Sequence, residues 1–317
     1  MQTLVSVKNL RKNYGDHEVL KNVSFEVKKG TVFALLGANG AGKTTTINIL
    51  STLLLPSGGE LTIGGYDVVR DDQAVRAMIS VTGQYAAVDE LLTGRENMQM
   101  IGRFSHLPEK VIKKRSQEIL ERLDLIKVAN QRAGTYSGGT RRRLDLAISL
   151  LAEPPLIFLD EPTTGLDPRS RKAIWELIAE LVKGGTTIFL TTQYLEEADQ
   201  LADTIAVLND GEIVALGTAE ELKQLVGKDM AEMTFRNSSL LKKAMKALGD
   251  RVVGSNQPAL TLDVTTNGAA SDIRELLNQL HAQNAEPQTI HLRKATLDDV
   301  FLSLTGTKPQ GGDNHAE

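Results

Sequence analysis

The stretch GTVFALLGANGAGKT, Gly30 to Thr44, runs an apolar segment straight into a glycine-rich one. From Val32 to Leu36 no polar residue interrupts it, as a strand buried on both faces requires. The glycine-rich part, GANGAGKT (Gly37–Thr44), fits the pattern G-x-x-x-x-G-K-[ST] and a helical period follows it. Between strand and helix, the glycines let the backbone of Gly37, Ala38, Asn39, Gly40, Ala41 and Gly42 wrap phosphate oxygens. Lys43 then reaches the β- and γ-phosphates, Thr44 holds Mg²⁺, and Thr45 completes the phosphate-contacting set. The helix N-terminus adds positive dipole at the same place. An incidental glycine-rich turn is the competing reading, and the flanking strand and helix weigh against it.

Working outward, LLAEPPLIFLD (Leu150–Asp160) and TTIFLTT (Thr186–Thr192) are apolar runs of the same kind. Helical periods separate them, so βα units on a mostly parallel sheet are predicted. Residues 3–9 and 22–28 alternate apolar with polar and read as half-exposed strands. LIFLDEP puts Asp160 at a strand end, suited to hold Mg²⁺ through water, with Glu161 beside it to polarise an attacking water. Alone, that acidic pair could simply be solvated. Residues 89–150 break the alternation: Thr93-x-x-Glu96 is a capping box, Pro108 opens a second helix, and a third follows Ser137–Gly139. This predicts a helical subdomain inserted in the α/β core.

Composition shifts after Ala219. Segments within 226–306 read strand, helix, two strands around NQP, helix, strand and a last helix, an order that suggests a small α+β, ferredoxin-like domain. Residues 307–317 read as a disordered tail, and 1–225 as the nucleotide-binding domain. The chain of 317 residues has no cysteine, so neither disulfides nor thiolate metal sites are available. Its 36 basic and 40 acidic residues leave a formal charge of −4, which argues against a nucleic-acid partner held by bulk electrostatics. No stretch reaches the ~18 consecutive apolar residues of a membrane span, so membrane association is expected through a partner.

The segment YSGGTRRRLDLAISLLAEPPLIFLDEPTTGLDP, Tyr136 to Pro168, resembles the signature helix, acidic strand and following loop of ABC-transporter ATPase subunits. The resemblance covers about residues 1–225. It implies a P-loop NTPase core of ABC type, and a homodimer that sandwiches ATP so that Ser137, Gly138 and Gly139 contact the γ-phosphate held by the other subunit. It also implies that Tyr14 stacks on adenine, that Gln84 touches Mg²⁺ and the attacking water, and that Asp167 lies at the dimer interface. The implied partner is an integral-membrane permease, and the implied location the cytoplasmic face of the membrane.

Two positions depart from the family pattern. Tyr136 and Thr140 flank SGG where leucine and glutamine are usual, and Gln193, just past the strand-like TTIFLTT, stands where the family has a histidine. With GQYAAVDELLTGREN and LDDVFLSLTG, these features look like the daunorubicin-resistance type of drug-export ATPase subunit. Gln193 keeps an N–H donor but cannot be protonated, so it is expected to position the γ-phosphate while Glu161 acts as base. A non-transport ABC ATPase is the alternative. Its repair type carries long coiled-coil heptads and its translation type two phosphate loops, and neither is present here.

Overall fold

The computed structural model describes residues 2–83, 88–226, 229–294 and 296–305. Gln84 and the tail at 307–317 lie outside the described residues. The chain divides into two compact units, Met1–Val214 and Ala215–Glu317.

In the first unit β1 (Thr3–Tyr14) and β2 (His17–Lys28) form an antiparallel hairpin, and β3 (Val32–Leu36) leads into α1 (Lys43–Leu50). Next come β4 (Gly58–Ile63), β5 (Tyr66–Asp67), α2 (Asp72–Met78) and β6 (Ile79–Thr82). The predicted helical insertion is α3 (Gly94–Phe104), α4 (Glu109–Arg122) and α5 (Gly138–Leu150). Thr93 and Glu96 close the expected capping box at the start of α3, each side chain bonded to the other's backbone N–H. The α/β pattern resumes with β7 (Leu156–Asp160), α6 (Pro168–Lys183), β8 (Thr187–Thr192), α7 (Leu195–Leu201), β9 (Thr204–Asn209) and β10 (Glu212–Gly217).

Two sheets result. One runs β2-β1-β4-β5; the other runs β10-β9-β3-β8-β7-β6, with β3, β6, β7, β8 and β9 joined by parallel pairing. The three phosphate-site strands β3, β7 and β8 are buried at every residue, which is why they read as unbroken apolar runs. Phe33, Phe189 and Phe158 sit in register across those strands. Phe33 and Phe189 stack with ring centroids 5.2 Å apart, and Phe158 follows at 5.4 Å. Phe25 from the other sheet stacks on Phe33 at 4.9 Å, so aromatic rings pin one sheet to the other.

The second unit opens with α8 (Ala219–Val226), a helix that spans the expected 225/226 boundary. It continues β11 (Asp229–Thr234), α9 (Ser238–Leu248), β12 (Val252–Asn256), β13 (Thr261–Thr266), α10 (Ala270–Ala282), β14 (Thr289–Lys294) and α11 (Leu297–Thr305). Its four strands are antiparallel in the order β12-β13-β11-β14. Leu241, Leu248, Leu276 and Leu280 of α9 and α10 share a core with Met233, Leu262 and Val264 of the sheet. The apolar stripe of α11 is buried within the same unit: Leu297, Val300 and Phe301 are each at most 2% exposed.

Candidate nucleotide site

Register brings the chemistry to one edge. Leu36 pairs with Thr192 and Asp160 with Thr191, so β3, β8 and β7 end side by side. The ladder continues past the strands: Gly37 N donates to Thr192 O and Glu161 N to Thr191 O, both at 3.1 Å. The phosphate loop, Glu161 and Gln193 therefore leave adjacent strands at their carboxyl ends, where open α/β sheets bind ligands.

Glycine is required in the loop for two different reasons. Gly42 has φ 108°, and a side chain at Gly37 would lie 2.4 Å from Leu208 O. Gly42 gives α1 no side-chain cap, which leaves its first backbone N–H groups facing the loop. A cavity of about 260 Å³ opens there, lined by Val19, Asn39, Gly40, Gly42, Lys43, Thr44, Thr45 and Glu161. A larger one of about 570 Å³ lies at the opposite strand ends, beside Pro155 and Thr186, and contains none of these residues.

Lys43 is nearly buried, and its Nζ donates to Gly37 O (2.9 Å) and Ala38 O (3.1 Å). It also pairs with Glu161 Oε1 at 3.2 Å. Glu161 is a non-glycine residue at φ 48°, a conformation that costs about 1–3 kcal/mol and persists only where neighbours hold it. Here Lys43, the Thr164 hydroxyl (3.1 Å to Oε2) and the doubly accepted backbone N–H do so. Thr44 Oγ1 donates to Asp160 Oδ2 at 3.0 Å, and the Thr191 hydroxyl donates to the other carboxylate oxygen. A hydroxyl and a carboxylate are hard oxygen donors, the set that Mg²⁺ takes alongside substrate phosphates and water. Among the described residues no three His, Asp or Glu side chains group to hold a metal alone.

Gln193 is half-buried, and its amide has no hydrogen-bond partner among the described residues. It does not cap α7. Thr192 Oγ1 takes the Tyr194 N–H at 2.9 Å instead. Tyr14 closes the β1–β2 hairpin, 51% exposed, with Lys12 Nζ 5.0 Å from its ring centre and outside the cavity lining.

Among the described hydrogen bonds the SGG segment makes none to the phosphate loop. Ser137 caps α5, accepting the Thr140 N–H at 3.3 Å and sharing a hydroxyl contact with Thr140 at 2.8 Å. Thr140 thus completes the cap where a longer amide is usual. A side chain on Gly139 would meet Ser170 Oγ at 2.5 Å, whereas one on Gly138 would touch only Leu166, at 3.8 Å. Tyr136 is buried, its hydroxyl donating to Val128 O at 2.6 Å, and burial pushes its pKa up. Asp167 caps α6; hydrogen bonds from the Ser170 side chain and N–H hold its carboxyl below the usual range.

Three residues escape a reading by sequence. Arg142 sits in the run RRR, which looks like a solvated face, yet it is 9% exposed and bonded to main-chain carbonyls around the site. Thr191 is the buried, next-to-last residue of β8, with no motif to mark it. Glu197 is fully buried; its Oε1 accepts the Thr163 hydroxyl (2.8 Å) and the Trp175 indole N–H (3.1 Å), and burial pushes its pKa up. Trp175 ties α6 to α7 through that carboxyl.

Comparisons with known proteins agree with this geometry. A family model described as "ABC transporter" matches residues 20–164. The chain is 45% identical over 304 residues to the daunorubicin resistance ATP-binding protein DrrA3 of Streptomyces coeruleorubidus, covering 96% of each. It is 46% identical to the doxorubicin resistance ATP-binding protein DrrA of Mycobacterium tuberculosis, covering 95% of this chain and 93% of the relative. Among solved structures it is similar to a dimeric, post-hydrolysis ATP-binding cassette bound to ADP and Pi. That likeness has 29% identity and a TM-score of 0.61, and it covers 68% of this chain and 98% of the other.

Proposed function

The chain belongs to the ATP-binding subunits of ABC transporters, and we propose from that premise that its ATP hydrolysis powers export of a hydrophobic, drug-like compound through a separate membrane permease. The observation that carries the catalytic part is the Lys43–Glu161 and Thr44–Asp160 pairing at one sheet edge. Lys43 and the loop N–H groups bind the phosphates. Thr44 and Asp160, with Gln84, would hold Mg²⁺, which would supply positive charge to offset that of the phosphates. Glu161 takes the proton of the attacking water, and Gln193 orients the γ-phosphate with its amide. The exposed Tyr14 ring supports adenine stacking.

Two chains would bury two ATP molecules, each between one phosphate loop and the other chain's Ser137–Gly139, with Asp167 at the interface. The cap of α5 supports this, because its N-terminus contacts no phosphate-loop residue of its own chain among the described hydrogen bonds. No described helix is long and apolar enough to cross a membrane, which is compatible with a peripheral subunit on the cytoplasmic face. We assign 1–225 to the ATP-binding domain, 89–150 to its helical subdomain and 226–306 to an accessory domain. The strand order β12-β13-β11-β14 with its βαββαβ sequence supports a ferredoxin-like form for the last.

The test is to co-express the chain with a candidate permease, purify the complex and measure ATP turnover and dye or drug efflux. Coupled efflux that disappears with Glu161→Gln is the expected result. ATP turnover indifferent to any permease, with no efflux, would overturn the transport reading.

A further inference from the structure

Arg142 lies five positions after Ser137 on α5, and its buried guanidinium donates to four oxygens. These are Gly83 O (2.8 Å), Pro162 O (3.0 Å), Asp160 O (3.1 Å) and Asp145 Oδ2 (3.1 Å). A guanidinium is planar, with its donors in a fixed fork, so it locks these oxygens relative to one another and to α5. Asp160 and Pro162 are the residues on either side of Glu161. The backbone of the proposed base, already in the left-handed region, is therefore clamped fore and aft by one side chain of the SGG helix.

We propose that Arg142 is a positioning residue, a strut through which the state of the SGG end of α5 sets the direction of the Glu161 carboxylate. The proposal rests on the composite-site reading above, in which Ser137–Gly139 serve the other chain's nucleotide and Glu161 its own. On that reading the two ends of the strut belong to different ATP molecules, so Arg142 couples the two sites of a dimer. The route is short and stiff. α5 is continuous from Gly138 to Leu150, Arg142 is little more than one turn from its start, and Asp145, 3% exposed, anchors the guanidinium from the inner side. Displacement of either flanking carbonyl turns the Glu161 peptide, and small misplacements of a reacting group lower rates steeply.

The experiment uses the full chain carrying Arg142→Lys, which keeps the charge but cannot span carbonyls on separate segments. Turnover against ATP concentration, binding of a fluorescent ATP analogue and thermal melting are measured together. Turnover should fall about 10–100-fold, half-saturating ATP should stay within about twofold, and a Hill coefficient above one should drop toward one. Asp145→Asn, which leaves the arginine in place but loosens its anchor, should give the same split to a smaller extent and keeps the question answerable if Arg142→Lys does not fold. Full turnover and unchanged cooperativity in both variants would overturn the strut. So would a parallel loss of turnover, affinity and melting temperature, which marks mere structural support. If neither the wild-type chain nor Glu161→Gln forms a dimer with Mg-ATP, the composite-site reading falls, and the strut falls with it.

Discussion

At the scale of single residues, the proposed base and the phosphate-loop lysine are paired in a nearly water-free setting, Lys43 and Glu161 side chains being 4% and 8% exposed. A γ-phosphate must compete with Glu161 for the lysine. Glu161→Gln removes the competing charge, so it should bind ATP at least as tightly as wild type while hydrolysing it ~10²-fold or more slowly. Equilibrium binding and single-turnover assays on the two proteins check this; weaker binding by the variant contradicts it. Gln193 is legible as an uncharged amide at a strand end, and among the described residues its side chain has no hydrogen-bond partner that would hold it back from substrate. Gln193→Ala should lower turnover with little change in ATP affinity. Gln193→His should retain turnover and add a pH dependence near the ordinary histidine pKa of ~6.5. A flat pH–rate profile between pH 5.5 and 8 in the histidine variant would remove the side chain from contact with the reacting phosphate.

At the scale of elements, the two glycines that look equivalent in SGG are not. Gly139→Ala drives a methyl into Ser170, whose hydroxyl is bound to Asp167 at 2.7 Å, so both α5 and the cap of α6 must shift. Overpacking of this kind costs about 1–3 kcal/mol. Gly138→Ala has room, so it should melt with the wild type and affect only ATP-dependent assembly. Equal melting temperatures for the two variants would refute the distinction. This asymmetry was out of reach of the sequence, because it depends on where α6 crosses α5. The strands, the phosphate loop and Asp160–Glu161 were legible, since burial on both faces and a fixed spacing leave marks in the order of residues. Arg142 and Glu197 were not, since a charge is assigned to solvent until partners from distant segments surround it. In the second unit, Asp272 accepts from Arg251 and the Thr266 hydroxyl, which lowers its pKa to about 2. A depressed carboxylate contributes stability that is full above its unfolded value of ~3.9 and is lost as pH falls toward about 2. The melting-temperature gap between wild type and Asp272→Asn should therefore narrow from pH 6 to pH 3; a constant gap would show that the carboxylate's charge is not the source.

At the scale of the whole molecule, α11 buries its apolar stripe in its own unit, so removal of residues 296–317 should uncover Leu222 of α8 and the face of β12. The truncated chain should bind a hydrophobic dye and melt earlier in the second unit while the first keeps its ATP affinity. A truncated chain with unchanged melting and dye binding would place the stripe elsewhere. The bond between Trp175 and Glu197 has an optical consequence. It is the chain's single indole, and its N–H is tied to the carboxyl that also receives Thr163, two residues from Glu161. The emission of an indole depends on what its N–H touches, so the protein carries an unlabelled fluorescent gauge wired to its own nucleotide site. Its colour should change as Mg-ATP is added and return as product leaves.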